Sequence, residues 1–166
     1  MNKVRFGLIG GGFGALIGRV HKMAAELSGS AELVCGVFSR DPNHSKKAGV
    51  ELFGIDPHRS YPDVETMCLT ESAVDESRRA EVMIVATPNH SHFEIAKQCL
   101  NSGFHVVCDK PMTVSVNQAQ ELAELVEETG LSFGLTYNYT GYPMVRHARR
   151  MVLDGQLGEI RRVSCE

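Results

Sequence analysis

Short apolar runs alternate along this chain with stretches of helical periodicity. Val4, Phe6, Leu8 and Ile9 form the first run, and residues 32–38 form the second, uncharged after Glu32. Val82–Ala86, Val106–Cys108 and Ser132–Tyr137 read as further buried strands, with Ser60 and Tyr61 a short third strand between them. Leu16, Val20, Met23, Ala24 and Leu27 recur at helical spacing and predict a helix with one apolar face. A second helix is expected to start near Asp41, to run through Ser45–Leu52 and to stop near Gly54 and Pro57. Pro62–Leu69 predicts a short one, with Pro62 pre-set for its first turn. Ser91 with Glu94, and Ser115 with Gln118, have capping-box spacing. They predict helices that carry Phe93, Ile95, Ala96, Cys99 and Leu100, and then Val116, Ala119, Leu122, Ala123 and Val126. Gly103 and Gly130 end them. Residues 70–81 are polar, a longer connection or helix without a chemical signature.

Buried strands alternating with amphipathic helices predict an α/β fold with a doubly wound, mostly parallel sheet. The expected strand order is 3-2-1-4-5-6, with a ligand at the carboxyl ends of strands one and four. Beyond Tyr137, Met144–Leu153 reads as a helix with Arg146, Arg149 and Arg150 on its polar side. Residues 159–166 alternate as a half-exposed strand does. The expected organisation is a ligand-binding domain over 1–140. Residues 141–166 would then be a connecting helix and the first strand of a second domain, truncated here.

Composition adds little. A length of 166 residues suits one ordinary core, and a net charge of −3 from interspersed charges predicts no nucleic-acid surface. Lys3 and Arg5 before an apolar run imitate a signal peptide, but half of residues 6–17 are glycine or alanine. No run approaches a membrane span, so no membrane partner is expected. Cys35, Cys68, Cys99, Cys108 and Cys165 are odd in number and widely spaced, as in a reduced, cytoplasmic protein.

Gly10, Gly12 and Ala15 fit the pattern G-x-G-x-x-G/A between a strand and a helix. Glycine there lets a pyrophosphate reach the backbone, and the helix N-terminus favours its charge. The bland alternative is a tight turn with no ligand. Gly14 and Gly18, one turn apart, are expected to bring the helix close to the sheet. At the end of strand two stand Ser39 and Arg40, where an acid would hold a ribose diol. They suit a 2′-phosphate instead, so NADP is preferred over NAD. Asp41, the next acid, reads as a helix cap. The same pair argues against a methyltransferase, whose cofactor has a diol and no phosphate.

Thr87-Pro88-Asn89-His90-Ser91-His92 follows strand four beside the expected crevice. His90 and His92 have no nearby Cys, Asp or Glu to complete a metal site, and no metal is expected. Lys110, in Asp109-Lys110-Pro111, stands at the end of strand five. A lysine there can bond a substrate hydroxyl or carbonyl and move its proton. Tyr137 and Tyr139 after strand six rank lower, as packing residues.

Together these motifs resemble the glucose–fructose oxidoreductase and inositol dehydrogenase family of NAD(P)-dependent oxidoreductases. The resemblance rests on the Gly10–Ala15 turn with His21 on its helix, residues 86–92, Asp109-Lys110-Pro111 and residues 155–163. It covers essentially the whole chain. It implies a Rossmann domain followed by an α/β domain that carries the substrate pocket and, usually, the oligomer interface. It implies that Lys110 is catalytic, that substrates are sugars, polyols or their derivatives, and that the full-length protein is a homo-oligomer. The expected cofactor-binding residues are Gly10, Gly12, Phe13, Gly14, Ala15, Ser39, Arg40, Thr87, Pro88, Asn89, His92, Asp109 and Lys110. This sequence departs from the family in having Asp109 for the commoner glutamate, and in a longer spacing between Ala15 and His21. With only the start of the second domain present, little or no turnover is expected from this chain. The reading from another class is a non-catalytic nucleotide-binding sensor or interaction module.

Overall fold

Every strand of the sheet is parallel to its neighbour, so each connection must cross a face of the sheet, and the helices do so. The computed structural model describes residues 3–164. In chain order the elements are β1 (Val4–Gly10), α1 (Ile17–Glu26), β2 (Ala31–Val37), α2 (Pro42–Phe53), α3 (Val64–Ser72), β3 (Val82–Ala86), α4 (His92–Asn101), β4 (His105–Asp109), α5 (Val116–Thr129), β5 (Phe133–Thr136) and α6 (Pro143–Leu153). The five strands lie in the order β2-β1-β3-β4-β5. This is the doubly wound order with its outermost strand reduced: Gly36 and Ser60 make a single parallel bridge. The ladder stops there because α2 packs directly on it. A Cβ at Gly49 would lie 2.0 Å from Ser60 Oγ. Buried Ser45 instead joins the two segments, accepting from the Phe38 N–H and donating to the Tyr61 carbonyl.

Two apolar clusters fill the faces. Phe6, Leu8, Phe38, Phe53, Ile55 and Ile84 pack on one side. Met67, Met83, Phe93, Leu100, Phe104, Val106 and Leu122 pack on the other, with Cys35, Cys68, Cys99 and Cys108 as buried thiols among them. Burial, helped by Asp109, pushes the Cys108 thiol up to about 12, so it packs rather than reacts. Cys165 lies outside the described residues.

Four local expectations are corrected. The apolar face of α1 does not meet the sheet: Leu16, Met23 and Leu27 are 73%, 64% and 85% exposed, and Gly18 is its buried residue. Of Gly14 and Gly18, only Gly18 makes the close approach: a Cβ there would lie 2.4 Å from Gly11 Cα. Gly14 has open space around it and is needed for its φ of +80°. The third helix begins at Val64 under an Asp63 cap, with Pro62 outside it. Ser91 caps nothing, because Asn89–Ser91 forms a 3-10 turn and the Ser91 hydroxyl bonds back to Thr87 Oγ1 and the Pro88 carbonyl. Ser115 does cap α5, accepting from the Gln118 N–H.

The polar 70–81 stretch holds a buried ion pair. Glu71 is fully buried, and Arg59 grips it through Nε and Nη2 while the Tyr61 hydroxyl and the Ala80 N–H donate to it.

The chain divides into two compact units between Thr136 and Tyr137. The second begins with a 3-10 turn, Asn138–Gly141, and α6, on which Arg150 pairs with Asp154. Residues 159–164 form no strand: an isolated alternating segment needs a ladder partner, and none is paired with it among the described residues.

Candidate functional site

The glycine turn sits where three strand ends converge. Gly10 closes β1 with φ +102°, and a Cβ there would lie 2.4 Å from the Ala86 carbonyl oxygen at the end of β3. A Cβ on Gly12 would lie 2.1 Å from the Phe38 carbonyl oxygen just past β2. No side chain fits at either place, so the turn is a bare backbone cradle threaded between two strand ends.

An open cleft of about 810 Å³ starts from this cradle. Of the expected cofactor-binding residues, Gly10, Gly12, Phe13, Ala15, Ser39, Arg40, Thr87 and Pro88 line it. Gly14, Asn89, His92, Asp109 and Lys110 lie outside its lining. Gly11 of the glycine turn and His90 and Ser91 of the 87–92 loop line it too, and His44, Lys47, Pro62, Asp63, Val64 and Ile95 line it without having been expected. His44 and Lys47 were legible in principle: they stand four and seven residues after Arg40, on one face of α2. Pro62–Val64 follow the single bridge at Ser60, the position a full third strand would have flagged.

The end of β2 is basic. Arg40, His44 and Lys47 all border the cleft. Asp41, the one acid beside them in sequence, is committed elsewhere: its carboxylate accepts from the His44 N–H at 2.8 Å and caps α2. That bond holds its carboxyl below the usual range. The Ser39 hydroxyl oxygen accepts from the Asp41 N–H, which fixes the turn.

On the other side, the ladder between β3 and β4 ends at Val85–Cys108. Beyond it His92, fully buried, bridges the two loops: Nε2 lies 2.8 Å from the Thr87 carbonyl oxygen and Nδ1 2.7 Å from that of Pro111. His90, two residues earlier, is exposed, so the two imidazoles do not form a ligand pair. Asp109 Oδ1 accepts from the Lys110 N–H and from Thr136 Oγ1, both at 2.9 Å, which pins the strand ends together. His21 Nε2 on α1 is buried, has no hydrogen-bond partner and stands 3.9 Å from the same Asp109 oxygen. Burial lowers the proton affinity of His21 and Asp109 only partly restores it. The Lys110–Pro111 peptide is cis, and Lys110 is exposed.

The arrangement can therefore cradle a pyrophosphate on bare backbone, take an anion at the β2 end and present an amine past β4. Its donor set suits a dinucleotide. Among the described residues no group of three His, Cys, Asp or Glu gathers to hold a metal, and no helix is long and apolar enough to cross a membrane.

Comparison with known proteins follows the same lines. The uncharacterised oxidoreductase YfiI of Bacillus subtilis (strain 168) is 35% identical, over 98% of this chain and 41% of its own length. Glucose-6-phosphate 3-dehydrogenase of the same organism is 30% identical, over 94% of this chain and 40% of that protein. The crystal structure of an inositol dehydrogenase homolog from Azotobacter vinelandii, complexed with NADH and myo-inositol, superposes with a TM-score of 0.91. It is 39% identical and covers 96% of this chain and 41% of that one. The chain thus spans about two fifths of the length of these relatives. Residues 4–137 match the profile of an oxidoreductase family with an NAD-binding Rossmann fold. With its cradle, strand order and motifs accounted for in this way, the chain belongs to the Gfo/Idh/MocA oxidoreductase family.

Proposed function

We propose that this chain is the cofactor-binding portion of an NADP(H)-preferring oxidoreductase acting on a sugar-, polyol- or inositol-like substrate. The bound dinucleotide supplies or accepts the hydride. Gly10, Gly11 and Gly12 hold its pyrophosphate on backbone N–H groups, with the start of α1 behind them. Ser39 and Arg40 take the adenosine end, where His44 borders the cleft and Lys47 adds positive charge. Thr87 and Pro88 border the opposite wall, with Asn89 next in the loop. Lys110 gives a proton to, or takes one from, the substrate oxygen as the carbon changes oxidation state. The small-molecule substrate, the homo-oligomeric full-length protein and the cytoplasmic setting belong to the same reading.

The observation that carries the NADP preference is the engagement of Asp41. The acid that would hold a free ribose diol is spent on capping α2, while three basic side chains border the cleft beside it. Arg40→Ala tests this in the chain as it stands. NADPH affinity is expected to fall about tenfold, the scale of one charge-assisted hydrogen bond, while NADH affinity stays within about twofold. An equal loss for both cofactors would remove the case for a phosphate contact at Arg40.

A further inference from the structure

His92 carries a constraint that its sequence motif does not announce. Both of its ring nitrogens lie within hydrogen-bond distance of backbone carbonyl oxygens, at 2.7 and 2.8 Å. Carbonyl oxygens only accept. A neutral imidazole has one N–H, so one contact would then set a lone pair against a lone pair. Turning the ring over would put carbon atoms at those two places, which is worse. A ring with hydrogen on both nitrogens satisfies both contacts at once.

The surroundings bear on that charge in both directions. His92 is the first residue of α4, where the helix dipole opposes a cation. Against this stand two hydrogen bonds from a charged donor, each stronger than its neutral equivalent. Asp109, the last residue of β4, lies two residues before Pro111. The other titratable groups on the joined segments are His90, Glu94 and Lys110, and neither ring contact goes to any of them.

The location gives the bond pair a purpose. Backbone pairing between β3 and β4 stops at Val85–Cys108, so past that point the two loops have no ladder to hold them in register. One loop borders the cleft through Thr87 and Pro88. The other carries Lys110. We propose that His92 is a positioning residue, whose doubly protonated ring ties these loops together and so holds Lys110 at the nicotinamide end of the cofactor. The tie itself is a property of this chain, while its purpose rests on the role of Lys110 given above.

Two measurements test it on the chain as it stands. Nitrogen-15 spectra of the histidine rings at neutral pH are expected to show His92 with two protonated nitrogens shielded from exchange with water. A His92 ring with one unprotonated nitrogen would overturn the tie. Affinities for NADPH and for adenosine 2′,5′-bisphosphate, which lacks the nicotinamide half, are then compared between the unaltered chain and His92→Gln. The variant is expected to weaken NADPH about tenfold and to leave the bisphosphate unchanged. Unchanged NADPH affinity, or an equal loss for both ligands, would overturn the positioning role. If the unaltered chain binds neither ligand, it is the cofactor reading that fails, and the ring spectrum still decides the tie. The ring spectrum needs no variant, so a His92→Gln chain that does not fold leaves that arm intact.

Discussion

At the scale of single residues, the most consequential side chain outside the cleft is Glu71. It is fully buried, and four donors converge on its two oxygens. Burial alone would raise its proton affinity, but the Arg59 guanidinium, the Ala80 N–H and the Tyr61 hydroxyl outweigh burial and leave it lowered. A carboxyl lowered by folding stabilises the fold above its ordinary value of 4.5, and that contribution disappears as pH falls through its folded value. Burial of His21 adds to the same trend. Its lowered proton affinity makes the unfolded chain the better proton acceptor as pH drops below 6.5. Stability measured by urea unfolding is therefore expected to fall in two acid steps, the first below 6.5 and the second below 4.5. Glu71→Gln is expected to cost about 3–5 kcal/mol, since it leaves the Arg59 charge without its buried partner, and to remove the lower step. A lower step that survives in Glu71→Gln would assign it to some other carboxylate.

At the scale of elements, α1 shows what a sequence pattern says and what it leaves open. Periodicity correctly places Leu16, Val20, Met23 and Leu27 on one side of the helix, but it cannot say which way that side points. The choice is made by a backbone contact. Gly18 must face Gly11 to let the helix reach the cradle, and this turns Gly18, His21, Lys22, Ala25 and Glu26 toward the sheet. Glu26 even accepts from the Leu33 N–H of β2. Met23→Lys and Leu27→Lys are thus expected to change unfolding stability by less than about 0.5 kcal/mol, as surface substitutions do. Binding of a hydrophobic dye should fall in both. A loss of about 2 kcal/mol or more would mean that these side chains are packed after all.

The remaining elements were legible to the degree that local chemistry acts alone. Ser115 caps α5 because no 3-10 turn runs into that helix, whereas Ser91 is captured by a 3-10 turn that the capping pattern does not encode. Buried strands of five to seven residues stood out as apolar runs, with Arg5 and Glu32 the single charges near the starts of β1 and β2. The strand at Ser60 shrank to one bridge because Gly49 of α2 packs too close for more, a tertiary fact. The site followed the same division. Gly10, Gly12, Ser39 and Arg40 announce themselves by motif and lie together in the cleft. His44, Lys47 and Val64 join it only through the folding of α2 and α3 around it. The buried bridge made by His92 required knowing where β3 and β4 stop pairing.

At the scale of the whole molecule, the chain divides into two compact units between Thr136 and Tyr137, and it spans about two fifths of the length of the relatives it matches. The described residues supply a bare backbone cradle, a basic end at β2 and one candidate proton carrier. Cofactor binding is then the property this chain is expected to have on its own, ahead of any turnover. Calorimetric titration of the chain with NADPH and with NADH tests that directly, with Gly12→Ala as the control, since a Cβ there would lie 2.1 Å from the Phe38 carbonyl oxygen. The expected result is saturable binding of both cofactors, NADPH the tighter by about tenfold, with heat abolished in Gly12→Ala. Absence of binding by either cofactor in the unaltered chain, or unchanged binding in Gly12→Ala, would contradict the account.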